Sequence, residues 1–146
     1  MRIWKQTVDL ATLNAWSAGT MMRTLDIRIT EVGDDYLRGT MPVDDRTRQP
    51  YGILHGGASV ALAETLGSTA AMLCCEEGRA TVGLDINANH LRAVRQGIVT
   101  GTARPIHVGR STQVWEIRIE DDAGKLVCIA RLTMAVVAGS AFALRK

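Results

Sequence analysis

Gln49-Pro-Tyr-Gly-Ile-Leu-His-Gly-Gly-Ala-Ser-Val-Ala-Leu-Ala-Glu-Thr-Leu-Gly-Ser68 reads as a polar loop feeding an apolar helix. From Gly52 to Cys75 nearly every residue is apolar or small, and Glu64 is the only charged side chain. An ionised carboxylate in such a helix is costly unless it meets a partner or a polar cavity, or its pKa shifts. The composition argues for an interior helix, so Glu64 is expected to face a cavity. The helix should begin at about His55, reach Cys75 or Glu76 and end at Gly78.

Spacing gives this helix two chemical ends. Glu64 and Ser68 are four residues apart and share a face. Gly57, Ala61 and Ala71 or Met72 fall on or near the same stripe, which leaves room for a ligand or another helix. At the start, the N–H groups of Gly56 to Ala58 lack intrahelical partners and can stabilise developing negative charge. Gly56 and Glu64 are eight residues apart, roughly 12 Å along a helix. An attacking group must come within about 3–3.5 Å of its carbon. A Glu side chain leans toward the helix N-terminus but does not close that gap. For both groups to serve one carbonyl, two antiparallel copies of the helix are needed, which predicts a symmetric dimer with sites at its interface.

Working outward, residues 8–18 carry Val8, Leu10, Leu13 and Trp16 at loose helical spacing, with Thr7 or Asp9 as a cap and Gly19 as a stop. Residues 25–32 alternate as a half-buried strand. Gly33-Asp34-Asp35 is a turn, and residues 36–43 complete a hairpin. Beyond the helix, strands are expected over 80–93, 98–108, 112–120 and 125–137, with a turn at Asp121-Asp122-Ala123-Gly124. Short connections favour antiparallel pairing. One apolar helix with one large sheet predicts an α+β fold, a curved antiparallel sheet wrapped around and enclosing the helix. A single domain spans 1–146, with a weakly patterned, frayed tail over 139–146.

Composition narrows the class. The chain has 146 residues, 47% apolar and 22% charged, with a net charge of +2. That charge is too small for general nucleic-acid binding, and a single Phe with two Tyr gives no stacking platform for bases. Cys74, Cys75 and Cys128 fit reduced thiols in a cytoplasmic protein. The N-terminus has no apolar signal region. The helix, with His and Glu inside a run of small residues, does not read as a membrane span. His55, His90 and His107 lie at unrelated spacings, so no metal site is expected. No Gly-x-Ser-x-Gly elbow or dinucleotide fingerprint is present.

The set Gln49…His55-Gly56-Gly57…Glu64…Ser68 resembles the hotdog-fold acyl-CoA thioesterases, in particular their aroyl-thioester branch. The likeness extends to Met41-Pro42-Val43-Asp44, Val82-Gly83-Leu84, Ile86-Asn87-Ala88-Asn89-His90 and Pro105-Ile106-His107-Val108-Gly109, hence to nearly the whole chain. The resemblance implies Glu64 as nucleophile or general base and the Gly56 N–H as the group polarising the thioester carbonyl. It implies that Gln49 and His55 hold that carbonyl and the acyl group, and that Ser68 places Glu64 or the water. His90 would lie near the aryl or thioester group. Gly83, the run His90, Leu91, Arg92, Ala93, and the run His107, Val108, Gly109, Arg110, Ser111, Thr112 would contact coenzyme A, with Arg92, Arg95 and Arg110 as phosphate partners. Coenzyme A would be part of substrate and product, with no other cofactor. A dimer at least, and by resemblance a homotetramer, is implied. The C-terminal tail runs past where such relatives usually end.

Each residue also has a plainer reading. Glu64 can be a structural carboxylate, His55 a helix cap, His90 a core histidine, Ser68 a packing residue and the arginines solvated charges. At the level of function, acyl-CoA hydrolysis stands beside proofreading of an acyl or aryl carrier protein, a hydratase, and a non-catalytic acyl-CoA-binding module. Met21, Met22, Tyr51 and Leu66 are the expected pocket walls.

Overall fold

The computed structural model describes residues 1–142 and 144. Its elements run α1 (Leu10–Ala15), α2 (Met21–Thr24), β1 (Arg28–Val32), β2 (Leu37–Pro42), α3 (Gly56–Leu73), β3 (Arg79–His90), β4 (Ile98–Val108), β5 (Thr112–Glu120) and β6 (Leu126–Ala138). A 3-10 turn follows at Gly139–Ala141.

The six strands form one antiparallel sheet in the order β1-β2-β4-β5-β6-β3. Antiparallel pairing matches the expectation from short connections. The neighbours of β3 do not: it pairs with β6 rather than β4, and so becomes an edge strand with one open side. Cys128, opposite His90 in that register, is fully buried.

Leu62, Leu66, Ala63 and Ala70 of α3 are fully buried against the sheet. Glycines let helix and sheet approach closely. A Cβ at either Gly39 or Gly101 would sit 2.6 Å from a Leu66 methyl carbon. Leu66, expected as a pocket wall, is therefore a core residue. At the far end of α3, Gln113 is buried and donates to Ala71 O at 3.2 Å while accepting from Trp115 Nε1 at 2.9 Å. Trp115 in turn stacks on Trp4, with ring centroids 6.3 Å apart.

The sheet does not enclose α3. It covers one side and leaves a half-buried stripe of Ala61, Glu64, Thr65, Ser68 and Thr69. The small residues of that stripe made the sequence look interior all round.

Other boundaries shift for local reasons. Helix 8–18 shortens to Leu10–Ala15, because Asp9 caps Thr12 N–H at 2.7 Å and the chain turns through Gly19 at φ 70°. Asn14 then bonds both backbone groups of Ile29, acting as an extra strand partner. The strand expected over 25–32 begins only at Arg28. Met21–Thr24 is helical, and Asp26 adopts a left-handed φ of 54° before β1. α3 ends at Leu73, with Cys74 as its cap. β3 ends at His90, since the Leu91 and Arg92 N–H groups both turn to Val127 O. The frayed tail expected over 139–146 begins as an ordered turn, with Gly139 N–H bonded to Gly78 O at 2.8 Å. Residues 143, 145 and 146 lie outside the described residues.

Candidate active site

The loop before α3 sets the first part of the site. Thr47 is buried and its hydroxyl donates to Pro42 O at 2.8 Å. Its carbonyl accepts from His55 N–H at 2.8 Å. This fixes the entry into α3, where His55 Nδ1 accepts from Gly57 N–H at 2.8 Å. Nδ1 is the acceptor, so in neutral His55 the proton sits on Nε2. The Ala58 and Ser59 N–H groups bond His55 O. Gly56 is left as the first-turn residue whose N–H bonds none of the described residues. That is a single directed donor at a helix N-terminus.

Around it lies a hollow of about 380 Å³ lined by Gln49, Gly56, Ser59, His90, Leu91 and Arg92, among others. The His90 imidazole packs on Gly56 so closely that a Cβ there would lie 2.9 Å from Nε2. Gln49 Oε1 accepts from Tyr51 N–H, which turns its NH₂ into the free donor. The structure thus brings together Gln49, Gly56, His90, Leu91, Arg92 and Ala93. It places His55 beside them as a helix cap, exposed, and not in the lining. Reading the sequence missed Ser59, which is buried and lines the same hollow. Its signal was the i, i+3 spacing from Gly56 on one helix face.

Glu64 and Ser68 line a different hollow of about 390 Å³, with Met21, Met22, Ala61 and Thr65. The two methionines are therefore wall residues, as expected. Glu64 is half-buried and makes no hydrogen bond or ion pair with the described residues. Gly83 of β3 lies against it: a Cβ at Gly83 would overlap Glu64 Oε1. A glycine inside a strand marks such a close approach. Gly83 thus sits with the carboxylate and not with the segment from His90 to Ala93.

The second coenzyme A segment is remote from the first. Thr112 and Val82 both lie opposite Ala135, whereas His90 lies opposite Cys128. Seven residues of strand separate these levels, about 23 Å at ~3.3 Å per residue. Val108, Gly109 and Arg110 border another hollow, with Lys5 and Arg79. Gly109 N–H bonds Thr112 O at 2.9 Å, and Ser111 O accepts from Val136 N–H. The exposed His107 packs beside Gly109. Arg95 lies at the Gly56 end, where it donates to Tyr51 O at 3.3 Å.

The thiols are inert by environment. Burial pushes Cys74 up to about 11 and also raises Cys75 and Cys128, so the nucleophilic thiolate is disfavoured at each. No helix among the described residues is long and apolar enough to cross a membrane.

A helix N-terminal donor and a carboxylate on one apolar helix, both without a partner among the described residues, are the parts needed to polarise and attack a carbonyl. Comparison with known proteins names the family. A profile of the thioesterase superfamily matches residues 51–128, more than half of the chain. The chain belongs to the thioesterase superfamily. It is a thioester hydrolase with the hotdog architecture.

This thioesterase is 53% identical over 135 residues to the 1,4-dihydroxy-2-naphthoyl-CoA hydrolase of Escherichia coli (strain K12), covering 92% of this chain and 99% of that protein. It is 53% identical to the proofreading thioesterase EntH of Cronobacter turicensis, covering 92% and 98%. A crystal structure of a thioesterase from Haemophilus influenzae superposes with a TM-score of 0.92 at 54% identity, covering 93% of this chain and 95% of that one.

Proposed function

We propose that this thioesterase hydrolyses acyl-CoA thioesters with aromatic acyl groups, in the cytoplasm, at sites shared between two copies of the chain. The observation that carries this reading is the division of the site. Gly56 with Gln49 and His90 lines one hollow, and Glu64 with Ser68 lines another. One chain does not bring the carbonyl holder and the attacking group together.

The open edge of β3 offers a remedy. An unpaired edge of twelve residues is a template for another strand, and Leu84 on it is 62% exposed. Antiparallel pairing of β3 with a second β3 sets the His90 end of one chain beside the Arg79 end of the other. The same operation turns the two α3 helices antiparallel. It brings Gly56 of one chain toward Glu64 of the other, and the His90 segment toward the Thr112 segment. One symmetric contact thus reunites both half-sites and both coenzyme A segments. By resemblance, two such dimers associate into a tetramer.

In the reaction, the Gly56 N–H and the Gln49 NH₂ hold the thioester oxygen, and their hydrogen bonds strengthen as it becomes an oxyanion. Glu64 delivers the attack, directly or by taking a proton from water, with Ser68 one turn on to orient it. The C–S bond breaks and coenzyme A leaves as the thiol, its sulfur taking a proton that comes from water. The water oxygen stays on the acyl carbon; after direct attack it does so by opening the mixed anhydride with Glu64. The acyl group leaves as the carboxylic acid and Glu64 is restored. Water and the chain's own groups suffice, with no metal or added cofactor. His90 lies over Gly56 as a wall for the bound thioester.

The test is release of free thiol from benzoyl-, naphthoyl- and straight-chain CoA thioesters by wild type and Glu64→Ala. A general base or nucleophile is worth about 10²–10⁴ in rate, so that is the expected loss. Equal turnover by the two proteins overturns the role of Glu64.

The likeness to EntH favours a second reading, in which the acyl or aryl group arrives on a carrier protein. The ratio of kcat/KM for one acyl group on coenzyme A and on a carrier protein separates the two.

A further inference from the structure

Ser59 stands one helical turn past Gly56 and lines the same hollow of about 380 Å³. It is only 2% exposed. Its hydroxyl bonds none of the described residues, whereas Thr69 on the same helix donates to Thr65 O at 2.7 Å. Among the described residues, no side-chain oxygen or nitrogen is both sealed from water and unpaired. The Ser59 hydroxyl therefore keeps a small opening, and the space it opens onto is the Gly56 hollow. Packing alone does not call for a hydroxyl here, since Ala58 and Ala63 on the same helix are buried alanines. A buried hydroxyl turned to a cavity marks a place for a hydrogen-bonding partner.

A second wall of the hollow is backbone. β3 has ended at His90, and the Leu91 and Arg92 N–H groups both donate to Val127 O, at 2.7 and 3.3 Å. The Ala93 N–H and the Arg92 carbonyl beyond them bond none of the described residues. Leu54, Leu91 and Val127 add apolar walls. Past the polar groups of Gln49, Gly56 and His90, the hollow thus offers one hydroxyl and one unpaired stretch of backbone between apolar side chains. That suits a slim, uncharged chain carrying amides. Helix positions three apart hold their side chains about 5–6 Å from one another. A thioester carries an amide at such a distance from its carbonyl oxygen when two methylenes link the sulfur to an amide nitrogen. The thiol arm of coenzyme A is built this way, and so is that of an acyl carrier protein.

We propose that the Ser59 hydroxyl pairs with the first amide of the thiol arm and so sets the thioester carbonyl in register on Gly56. The ligand class is a thioester of a 2-amidoethanethiol, whichever carrier lies beyond the amide. This rests on the reading of the Gly56 hollow as the place of the thioester carbonyl. With the oxygen on Gly56 and the attack coming from Glu64 of the other chain, the sulfur side of the thioester runs past Ser59 and Ala93. A hydroxyl both donates and accepts, so it can serve either group of the amide. The amide does not change as the carbonyl reacts, so the contact is equal in the ground state and the transition state. It acts on KM and not on kcat.

The experiment carries one benzoyl group on three thiols: coenzyme A, N-acetylcysteamine, which ends just past the first amide, and 1-pentanethiol, which has the same span without it. Wild type, Ser59→Ala and Ser59→Cys are compared, the cysteine keeping the volume with only a weak hydrogen-bonding group. Thermal unfolding is followed in parallel. Both variants should raise KM about fivefold for the coenzyme A and cysteamine thioesters, with kcat within about twofold of wild type. The pentyl thioester should change by less than about twofold. Equal losses on all three thioesters, or none on any, overturn the contact, and so does a wild type that does not favour the cysteamine thioester over the pentyl one. If Ser59 has no effect while wild type hydrolyses benzoyl-CoA and Gly56→Val does not, the Ser59 contact alone fails. If folded wild type hydrolyses none of the three, or Gly56→Val matches wild type, the reading of the Gly56 hollow fails and takes the contact with it.

Discussion

Gly83 and Glu64 interlock: the space a Cβ would take at Gly83 is filled by Glu64 Oε1. A strand position is thereby committed to a helix carboxylate. Gly83 has no left-handed φ, so its backbone accepts alanine, and the cost of substitution falls on the carboxylate. Gly83→Ala should move the carboxylate by a good part of an ångström. Misplacement by about 1 Å can cost 10² in rate, so kcat should fall by up to about a hundredfold, with the melting temperature little changed. Steady-state kinetics and thermal unfolding on the same preparation check this. Unchanged kcat would remove Glu64 from the chemistry or show that its placement is not critical.

A site shared between chains can be tested by complementation. Glu64→Ala and Gly56→Val damage opposite halves of it. A dimer of one chain of each kind carries both defects in one site and none in the other. Random mixing of equal amounts gives half mixed dimers, so activity should recover to about a quarter of wild type. Co-refolding the inactive variants and assaying thiol release measures it. No recovery, with mixed dimers confirmed by native mass spectrometry, would place the whole site in one chain.

At Gly56 a side chain meets the ring of His90. Gly56→Ala places a Cβ 2.9 Å from Nε2, so the exposed imidazole must swing away from the free N–H. The combination with His90→Ala relieves that crowding. If crowding is the whole defect, the double variant should be faster than Gly56→Ala alone, and the excess gives the coupling between the residues. Equal rates would show that the imidazole does not obstruct the site.

Gln113 is a structural pin outside the site. Gln113→Ala deprives Trp115 Nε1 of its acceptor in a place closed to water, while Ala71 O keeps the Cys74 N–H at 3.2 Å. A buried donor left unpaired costs about 1–3 kcal/mol. Urea unfolding should show a loss of about 1–3 kcal/mol with an unchanged slope.

The buried thiols predict an alkaline limit on stability. Cys74 is held at about 11, against 9.0 for an unburied cysteine. Its folded value is the higher one, so its contribution is complete below pH 9 and is lost as pH rises toward 11. The melting temperature should fall across that window, and less steeply in Cys74→Ala. Parallel curves would assign the alkaline loss to other groups.

Much of this protein was legible in one dimension. Period-two alternation marked the strands, and Ile98–Val108 and Thr112–Glu120 match their expected limits, because half-buried strands write their two faces directly into sequence. The lone Glu64 and the paired glycines before α3 stood out because a charge among small apolar residues has few structural uses. What misled was the composition of α3. Small residues look interior, yet they form a stripe that the sheet leaves uncovered, because an uncovered face with room for a ligand has the same composition as a packed one.

Residue types and local spacing therefore determined the antiparallel strands, the helix with its donor at one end and its carboxylate eight residues on, and the candidate residues. Only the tertiary structure decided that β3 lies at the sheet edge, that Gly83 belongs with Glu64, that His90 covers Gly56, and that the two expected coenzyme A segments lie at opposite ends of one chain. These are relations between residues far apart in sequence. They depend on strand order and register, and neither periodicity nor capping along the chain carries information about which strand a given strand will meet.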